Sequence, residues 1–339
     1  MKLLFITQKI REDDDDLASV ILWIKQFVRE GFDIRVICLE KGKFSGDFPV
    51  YSLGKEKGYG KIRQLALFLK YIFTVEYDRV FVHMNMEYFT LGGWYWFLRR
   101  VPMYSWYTHY TMHIHLRLAA FFTKRMFAAT SQSLPQYDDS PKKVVTGHGI
   151  DVRYWLNDGI VPVGNKVNKS ETKLLSVHRI CRSKRIEIPI KALCHLPENY
   201  SLIVYGRDVE KDYFKELNEL VKNKNLQKQV EFAGPVPMAQ LKNVYGNYRL
   251  MANMAYETID KSMLEAMLFG VYPVTTKANS LAIGLPVYPQ DDRPETIAKF
   301  ITEKSWRNYD QNYLARIVNE RHGLPSLIKK MGKYIKDGK

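Results

Sequence analysis

Leu3 to Thr7 is an apolar run, Leu17 to Glu30 repeats apolar residues at helical spacing, Gly31 stops that helix, and Ile34 to Leu39 is apolar again. A strand, a helix and a strand in this order join two buried strands by a crossover, which makes them parallel and the connection right-handed. Val80 to His83, Met103 to Trp106, Met126 to Ala129 and Val144 to Val145 read as further strands of the same sheet. After residue 152 the alternation restarts. Asn157 to Ser170 is polar, holds Gly, Pro and Asn, and reads as a linker. Strands are then expected at Leu174 to Val177, Ser201 to Tyr205, Val230 to Phe232, Leu250 to Met254, Val271 to Thr275 and Val287 to Tyr288. Helices are expected at Glu187 to Leu196, Glu210 to Asn223 and Leu264 to Phe269. Two alternating halves imply an α/β protein of two Rossmann-like domains facing each other across a cleft. The expected division is 1–152 and 153–315, with a C-terminal helix from about 316 to 339 packing back on the first domain.

The 339 residues suffice for two domains of ordinary size, and the apolar content is that of a globular chain. The net charge of +15 calls for an anionic partner, such as a phosphorylated ligand or an anionic membrane surface. No basic low-complexity arm, zinc-finger spacing or RNA-binding motif is present, so nucleic acid is not an expected partner. Cys38, Cys181 and Cys194 form no Cys-x-x-Cys pair, which fits buried free thiols in a reducing cytoplasm. The apolar run at the N-terminus is too short for a signal peptide, and charges break the longer ones before a membrane-spanning length. The expectation is a soluble or peripheral cytoplasmic protein.

In open parallel sheets ligands bind beyond the carboxyl ends of the strands. The strand ending at Val177 is followed by His178-Arg179-Ile-Cys-Arg182-Ser-Lys184-Arg185, a cationic loop of a kind that suits a diphosphate. Further on, Glu257 and Glu265 are separated by seven residues, and the following helix is closed by Gly270 and Pro273. Carboxylates so placed accept hydrogen bonds from sugar and ribose hydroxyls. Ser262 and Glu265 also have the spacing of a capping box, and the two readings are compatible. In the first domain His109 stands at the end of a strand, and His83 and Asn85 follow another. Asp13, Asp14 and Asp15 belong to an acidic tetrad that either accepts hydrogen bonds from acceptor hydroxyls or caps the helix from 17 to 30. His109, His113 and His115 lack a completing ligand, so no metal is expected.

These motifs, in this order, resemble the family-four retaining glycosyltransferases of the GT-B fold. Arg179 and Lys184 match that family's Gly-Arg-x-x-x-x-Lys-Gly stretch, with His178 and Arg185 in place of the glycines. Tyr205-Gly206, Glu231 to Gly234-Pro, the segment from Leu264 to Val274 and His148-Gly149-Ile-Asp151 fall in the family's order. Where members carry Gly-Phe-Gly after the first glutamate, this chain has Thr258-Ile259-Asp260. The resemblance implies that Arg179 and Lys184 hold the donor diphosphate, Glu265 the ribose, Glu257 the donor sugar, and that His109 touches that sugar. It also places Gly206, Gly234, Thr258, Ile259, Asp260 and Leu264 around the donor, with no cofactor and no catalytic metal.

The reaction so implied moves a sugar from a nucleotide-diphosphate sugar to an acceptor hydroxyl with retained configuration, in cell-envelope glycan or glycolipid synthesis. Alternatives are a sugar-nucleotide epimerase of the same fold or a non-catalytic nucleic-acid- or glycan-binding protein. The acceptor is a glycan or a lipid-linked sugar. Lys61, Arg63 and Lys70 beside the apolar face of a helix from about 60 to 73, with Trp94, Trp96, Arg99 and Arg100, are of the membrane-interface type, while the same helix also reads as ordinary core packing.

Overall fold

The computed structural model describes residues 1–14, 19–109, 112–156, 169–256 and 259–338. The chain forms two compact units, Met1–Gly149 with Gly323–Lys339, and Ile150–His322. The change of unit comes at Gly149 rather than after residue 152, and the return at Gly323 rather than near 316. The cause is local. Ile150 packs in the second core and its amide donates to the His322 carbonyl, while Leu314 and Ile317 also belong to that core.

The first unit runs β1 (Lys2–Ile10), α1 (Ser19–Arg29), β2 (Asp33–Lys41), β3 (Val50–Ser52), α2 (Lys61–Thr74), β4 (Arg79–His83), α3 (Glu87–Leu98), β5 (Met103–Tyr107), α4 (Ile114–Phe122), β6 (Arg125–Ala128) and β7 (Lys143–Val145). Its seven parallel strands lie in the order β3-β2-β1-β4-β5-β6-β7. Alternate residues of β1 feed two cores. Leu3 and Phe5 face a layer with Trp23 and Phe27 of α1, and Leu4 and Ile6 face a layer with Phe68, Trp96 and Leu116 of α2, α3 and α4. The strands are therefore apolar on both faces, as the uninterrupted runs require.

The second unit runs α5 (Val152–Trp155), β8 (Ser170–Val177), α6 (Glu187–Leu193), β9 (Ser201–Tyr205), α7 (Lys211–Asn223), β10 (Val230–Gly234), α8 (Met238–Tyr245), β11 (Tyr248–Asn253), α9 (Lys261–Met267), β12 (Tyr272–Thr275), α10 (Lys277–Ile283), α11 (Pro294–Glu303) and α12 (Gln311–Ile317). The closing α13 (Leu324–Asp337) returns to the first unit, where Leu327, Ile328 and Met331 pack with Phe27 and Phe32. The second sheet is parallel, in the order β10-β9-β8-β11-β12. Both sheets reverse direction beside their first strand, between β1 and β4 and between β8 and β11. Such switch points are where open α/β sheets bind ligands.

Gly149 shows why His148-Gly149-Ile-Asp151 has its sequence. Its φ of +72° is left-handed, and a Cβ there would lie 2.6 Å from the Trp23 ring. Trp23 Nε1 donates to the Gly149 carbonyl at 3.2 Å. Asp151 then caps α5, accepting from the amides of Arg153 and Tyr154 at 3.1 and 3.2 Å.

Several expectations are corrected. Val287 and Tyr288 form no strand; the Val287 carbonyl instead accepts from Tyr272 Oη at 2.6 Å. β3 is short and joins the sheet edge unannounced, because three residues carry no readable period. The Asn157 to Ser170 linker lies mostly outside the described residues, and Ser170 itself opens β8. Of the three free cysteines, Cys38 and Cys181 are buried, but Cys194 is exposed just beyond α6.

Candidate active site

At the switch point of the second sheet, the chain leaving β8 is fastened to the chain that enters α9 after β11. β8 ends at Val177 and is followed by His178 and Arg179; β11 ends at Asn253. Glu257 and Thr258 lie outside the described residues. The chain then returns with Ile259, buried in the core, and Asp260. Two contacts fasten this return to the β8 loop. Ser262 Oγ donates to the Val177 carbonyl at 2.6 Å, and Lys184 Nζ donates to Asp260 Oδ1 at 2.6 Å. Asn253 Nδ2 reaches the other carboxylate oxygen at 2.7 Å.

The cationic loop is not four free charges. Arg182 forms a forked pair with Glu216 of α7, Arg185 pairs with Asp292 at 2.6 Å, and Lys184 is buried against Asp260. Arg179 is exposed and has no ion pair among the described residues. It is therefore the side chain of the loop best able to meet an incoming diphosphate. Burial would raise the Asp260 carboxyl, but the Lys184 ammonium, the His178 ring and the Asn253 amide outweigh it and hold the group below its ordinary range. Burial in turn pushes the His178 imidazole down to about 4, so it is neutral at pH 7.

The departures from the family's glycines have visible consequences. Arg185 stands where the family has glycine, and its backbone keeps the left-handed conformation, with φ +52°. A side chain there costs about 1 kcal/mol in backbone strain, which the Asp292 pair helps to offset. Gly206 follows β9, and a Cβ on it would lie 1.8 Å from the His178 carbonyl oxygen. Its amide donates to the Gly234 carbonyl at 2.9 Å, and Gly234 has φ +80°. Both glycines thus let two strand ends close beside the His178 turn. Asp260, in place of a glycine, carries the carboxylate that engages Lys184.

Glu265 sits in α9, which begins at Lys261 rather than Leu264. The capping box is absent. Asp260 is the residue preceding the helix, the Ser262 hydroxyl goes to Val177, and Glu265 is buried with an oxygen 3.2 Å from Tyr245 Oη. Burial raises the Glu265 carboxyl to about 7, against the lowering influence of Lys261 and Tyr245. Burial likewise lowers the Lys261 ammonium to about 8. Leu264 is fully buried, so its side chain packs rather than reaching a ligand.

The raised Glu265 carboxyl has a consequence for stability. Between the unfolded value near 4.5 and the folded value of about 7, the native state binds the extra proton. Stability contributed by this group therefore falls as pH rises through that window, by about 3 kcal/mol in all. Unfolding of Glu265→Gln should show a flatter dependence between pH 5 and 7 than the native sequence. Equal slopes in the two proteins would show that Glu265 does not titrate there.

In the first unit, His109 is half-buried beyond β5, edge-on to Tyr107 at 5.3 Å. His113 is extended (φ −142°, ψ 166°) before α4, so His109 and His113 do not share a helix face. His113 Nε2 meets Tyr107 Oη at 3.1 Å and His115 Nδ1 meets Thr90 Oγ1 at 2.7 Å. Among the described residues no three metal-binding side chains cluster. Asn85 makes the turn into α3, its carbonyl accepting from Tyr88. His83 is buried and stacked on Trp106 at 5.1 Å. Asp13 pairs with Arg11 at 2.7 Å and Asp14 with Lys9 at 2.8 Å, while Asp15 lies outside the described residues.

Sequence reasoning missed Asn253, Tyr245 and Lys261. Asn253 ends a strand, the position that the strand-end rule examines. Tyr245 carried no signal, because only packing brings α8 against α9.

Residues 162–282 match the family model of the glycosyl transferases group 1. The matched segment lies within the second unit. The whole chain is similar in fold to solved GT-B structures. Anabaena Alr3699/HepE, solved in complex with UDP and glucose, has 19% identity and a TM-score of 0.75, over 99% of this chain and 100% of that one. Sucrose-phosphate synthase from Thermosynechococcus elongatus has 14% identity and a TM-score of 0.73, over 99% and 98%. WaaG, a glycosyltransferase of lipopolysaccharide biosynthesis, has 15% identity and a TM-score of 0.68, over 98% and 99%. No curated protein sequence matches the chain. The resemblance read from the motifs and the two Rossmann-like units of a GT-B protein are thus both found.

Proposed function

We propose that the protein transfers a sugar from a nucleotide-diphosphate sugar to an acceptor hydroxyl with retention of configuration, without a catalytic metal, in the synthesis of an envelope glycan or glycolipid. The observation that supports this reading is the Lys184–Asp260 pair that links the chain beyond β8, where Arg179 stands exposed, to the start of α9, inside the segment that matches the group 1 glycosyltransferase model. Arg179 takes the exposed side of the donor diphosphate and stabilises the negative charge that grows on the leaving group. Lys184, oriented by Asp260, has donor hydrogens left for the same phosphates. Glu265, as carboxylate, accepts from the ribose hydroxyls. Glu257 holds the donor sugar where oxocarbenium character develops. The departing phosphate oxygen takes the acceptor proton.

The acceptor is a glycan or a lipid-linked sugar, and attachment to the inner face of a membrane suits the second. The solved complexes of Anabaena Alr3699/HepE with UDP and with UDP-glucose make a uridine donor the first to try.

The test is release of nucleoside diphosphate from UDP-, GDP- and dTDP-sugars in the presence of envelope glycan or glycolipid fractions. Turnover should persist in EDTA, and the product anomer should match the donor. Glu257→Gln should fold normally and lose most of the turnover. An inverted product, rescue by metal after chelation, or full activity in Glu257→Gln would each refute the corresponding part.

A further inference from the structure

Among the described residues fourteen large hydrophobic side chains are exposed, and eight of them belong to α2, α3 and α4. Ile62 is 88% exposed, Leu98 72%, Phe121 65% and Ile114 62%. These helices cover one face of the first sheet, so their outer surfaces form one side of the first unit. Ring contacts join them. Phe73 of α2 meets Tyr95 of α3 at 4.6 Å, Trp94 meets Tyr95 at 6.0 Å, and Phe97 of α3 meets Phe121 of α4 at 5.9 Å. Gly93 permits this approach, since a Cβ there would lie 2.5 Å from the Phe122 ring.

Two features set this layer apart from an ordinary sheet cover. After Glu87, α3 has no charged residue before Arg99 and is apolar on every side. Helices of that kind are covered on all sides in soluble proteins, yet Trp94, Phe97 and Leu98 are open. α2 buries only Phe68 and Ile72. Trp96, grouped with this surface by sequence, lies buried beneath it.

The charge around the apolar ridge is one-sided. The stretches 61–74, 87–100 and 114–124 hold seven basic residues against one acid, Glu87. All seven are exposed, among them Lys61, Arg63, Lys70, Arg99 and Arg100. A second copy docked on this face by two-fold symmetry would set these cations against their own images, whereas an anionic surface complements them. No helix among the described residues is long and apolar enough to cross a membrane, so the geometry is that of a surface lying in the headgroup region.

We propose that the outer face of α2, α3 and α4 docks on an anionic lipid bilayer, with Trp94, Phe97 and Phe121 entering the interface and the basic rim meeting the headgroups. The proposal deepens the membrane-attached form of the proposed function, but its test needs no donor and no turnover.

Trp94 is a built-in reporter, because the other five tryptophans are buried. The full chain is mixed with vesicles of phosphatidylcholine containing about one quarter phosphatidylglycerol, at an ionic strength low enough to leave surface charge unscreened. The protein should co-sediment, Trp94 emission should shift to the blue, and brominated acyl chains should quench it. Pure phosphatidylcholine vesicles, or about 0.5 M salt, should reduce the bound fraction at least about tenfold. Phe97→Glu with Phe121→Glu should do the same while retaining the native circular dichroism and melting temperature, as both rings are exposed. Failure to sediment at low salt would overturn the proposal. So would unchanged binding by the double variant, or vesicle-independent dimers that the variant abolishes, which would make the face a contact between copies. Loss of vesicle binding by the double variant with nucleotide-sugar turnover intact on detergent-solubilised acceptor would support the docking face independently of the donor site.

Discussion

Arg179→Ala should slow sugar transfer by roughly thirtyfold to a thousandfold, with no measurable change in melting temperature. Arg179 follows the carboxyl end of β8, is exposed, and has no ion pair among the described residues, so its removal strands no partner. Surface changes of that type shift stability by about 0.5 kcal/mol or less. The leaving group is an anion whose charge grows in the transition state. Removing one aimed cation from such a site raises the barrier by about 2–4 kcal/mol, which is roughly thirtyfold to a thousandfold in rate. Arg179→Lys should recover part of the rate, since it restores the charge but not the planar fork. Steady-state kinetics with saturating acceptor, beside a thermal melt, decide the matter. Native turnover in Arg179→Ala would remove it from the site.

Lys184 should behave in the opposite way, because it is buried and bound. Lys184→Met leaves Asp260 without its cation, and Asp260→Ala leaves the ammonium with 7% of its residue surface in water and no carboxylate. Breaking one side of a buried pair costs about 3 kcal/mol or more, whereas replacing both sides with apolar groups is often neutral. Each single variant should therefore unfold at distinctly lower urea. The double variant Lys184→Met with Asp260→Ala should recover most of the loss and remain unable to bind the donor. That combination separates the stabilising part of Lys184 from its work on the diphosphate. If the two single losses simply add in the double variant, Lys184 and Asp260 are not coupled.

The arrangement of β1, β2, β4, β5, β8, β9 and β11 is legible in the sequence because buried parallel strands are written as uninterrupted apolar runs. The strand-end rule then singles out the loop after β8, and the family spacing picks Arg179 and Lys184 within it. Other features are invisible for physical reasons. Whether a lysine is free or paired depends on which carboxylate the fold brings to it, and Asp260 lies seventy-six residues beyond Lys184. The same holds for Arg182 with Glu216 and for Glu265 with Tyr245. The capping-box reading of Ser262 and Glu265 failed because a local pattern competed with two tertiary hydrogen bonds, and the tertiary partners won. The apolar surface of α3 is legible only in part, since the sequence marks Trp94, Arg99 and Arg100 as interfacial but groups the buried Trp96 with them. Which side chains of the run Leu91-Gly-Gly-Trp-Tyr-Trp-Phe-Leu98 are uncovered follows only from the fold.

The claim that the β8–β11 switch point holds a nucleotide sugar is tested most directly by thermal unfolding of the intact protein against UDP-, GDP- and dTDP-sugars. A ligand of the native state at a hundred times its dissociation constant adds about 2.7 kcal/mol of stability. At least one of the sugars should raise the melting temperature by several degrees, and the same sugar should lose most of that effect with Arg179→Ala. If no nucleotide sugar shifts the native protein, or if the shift is undiminished in Arg179→Ala, the donor site is not where this account puts it.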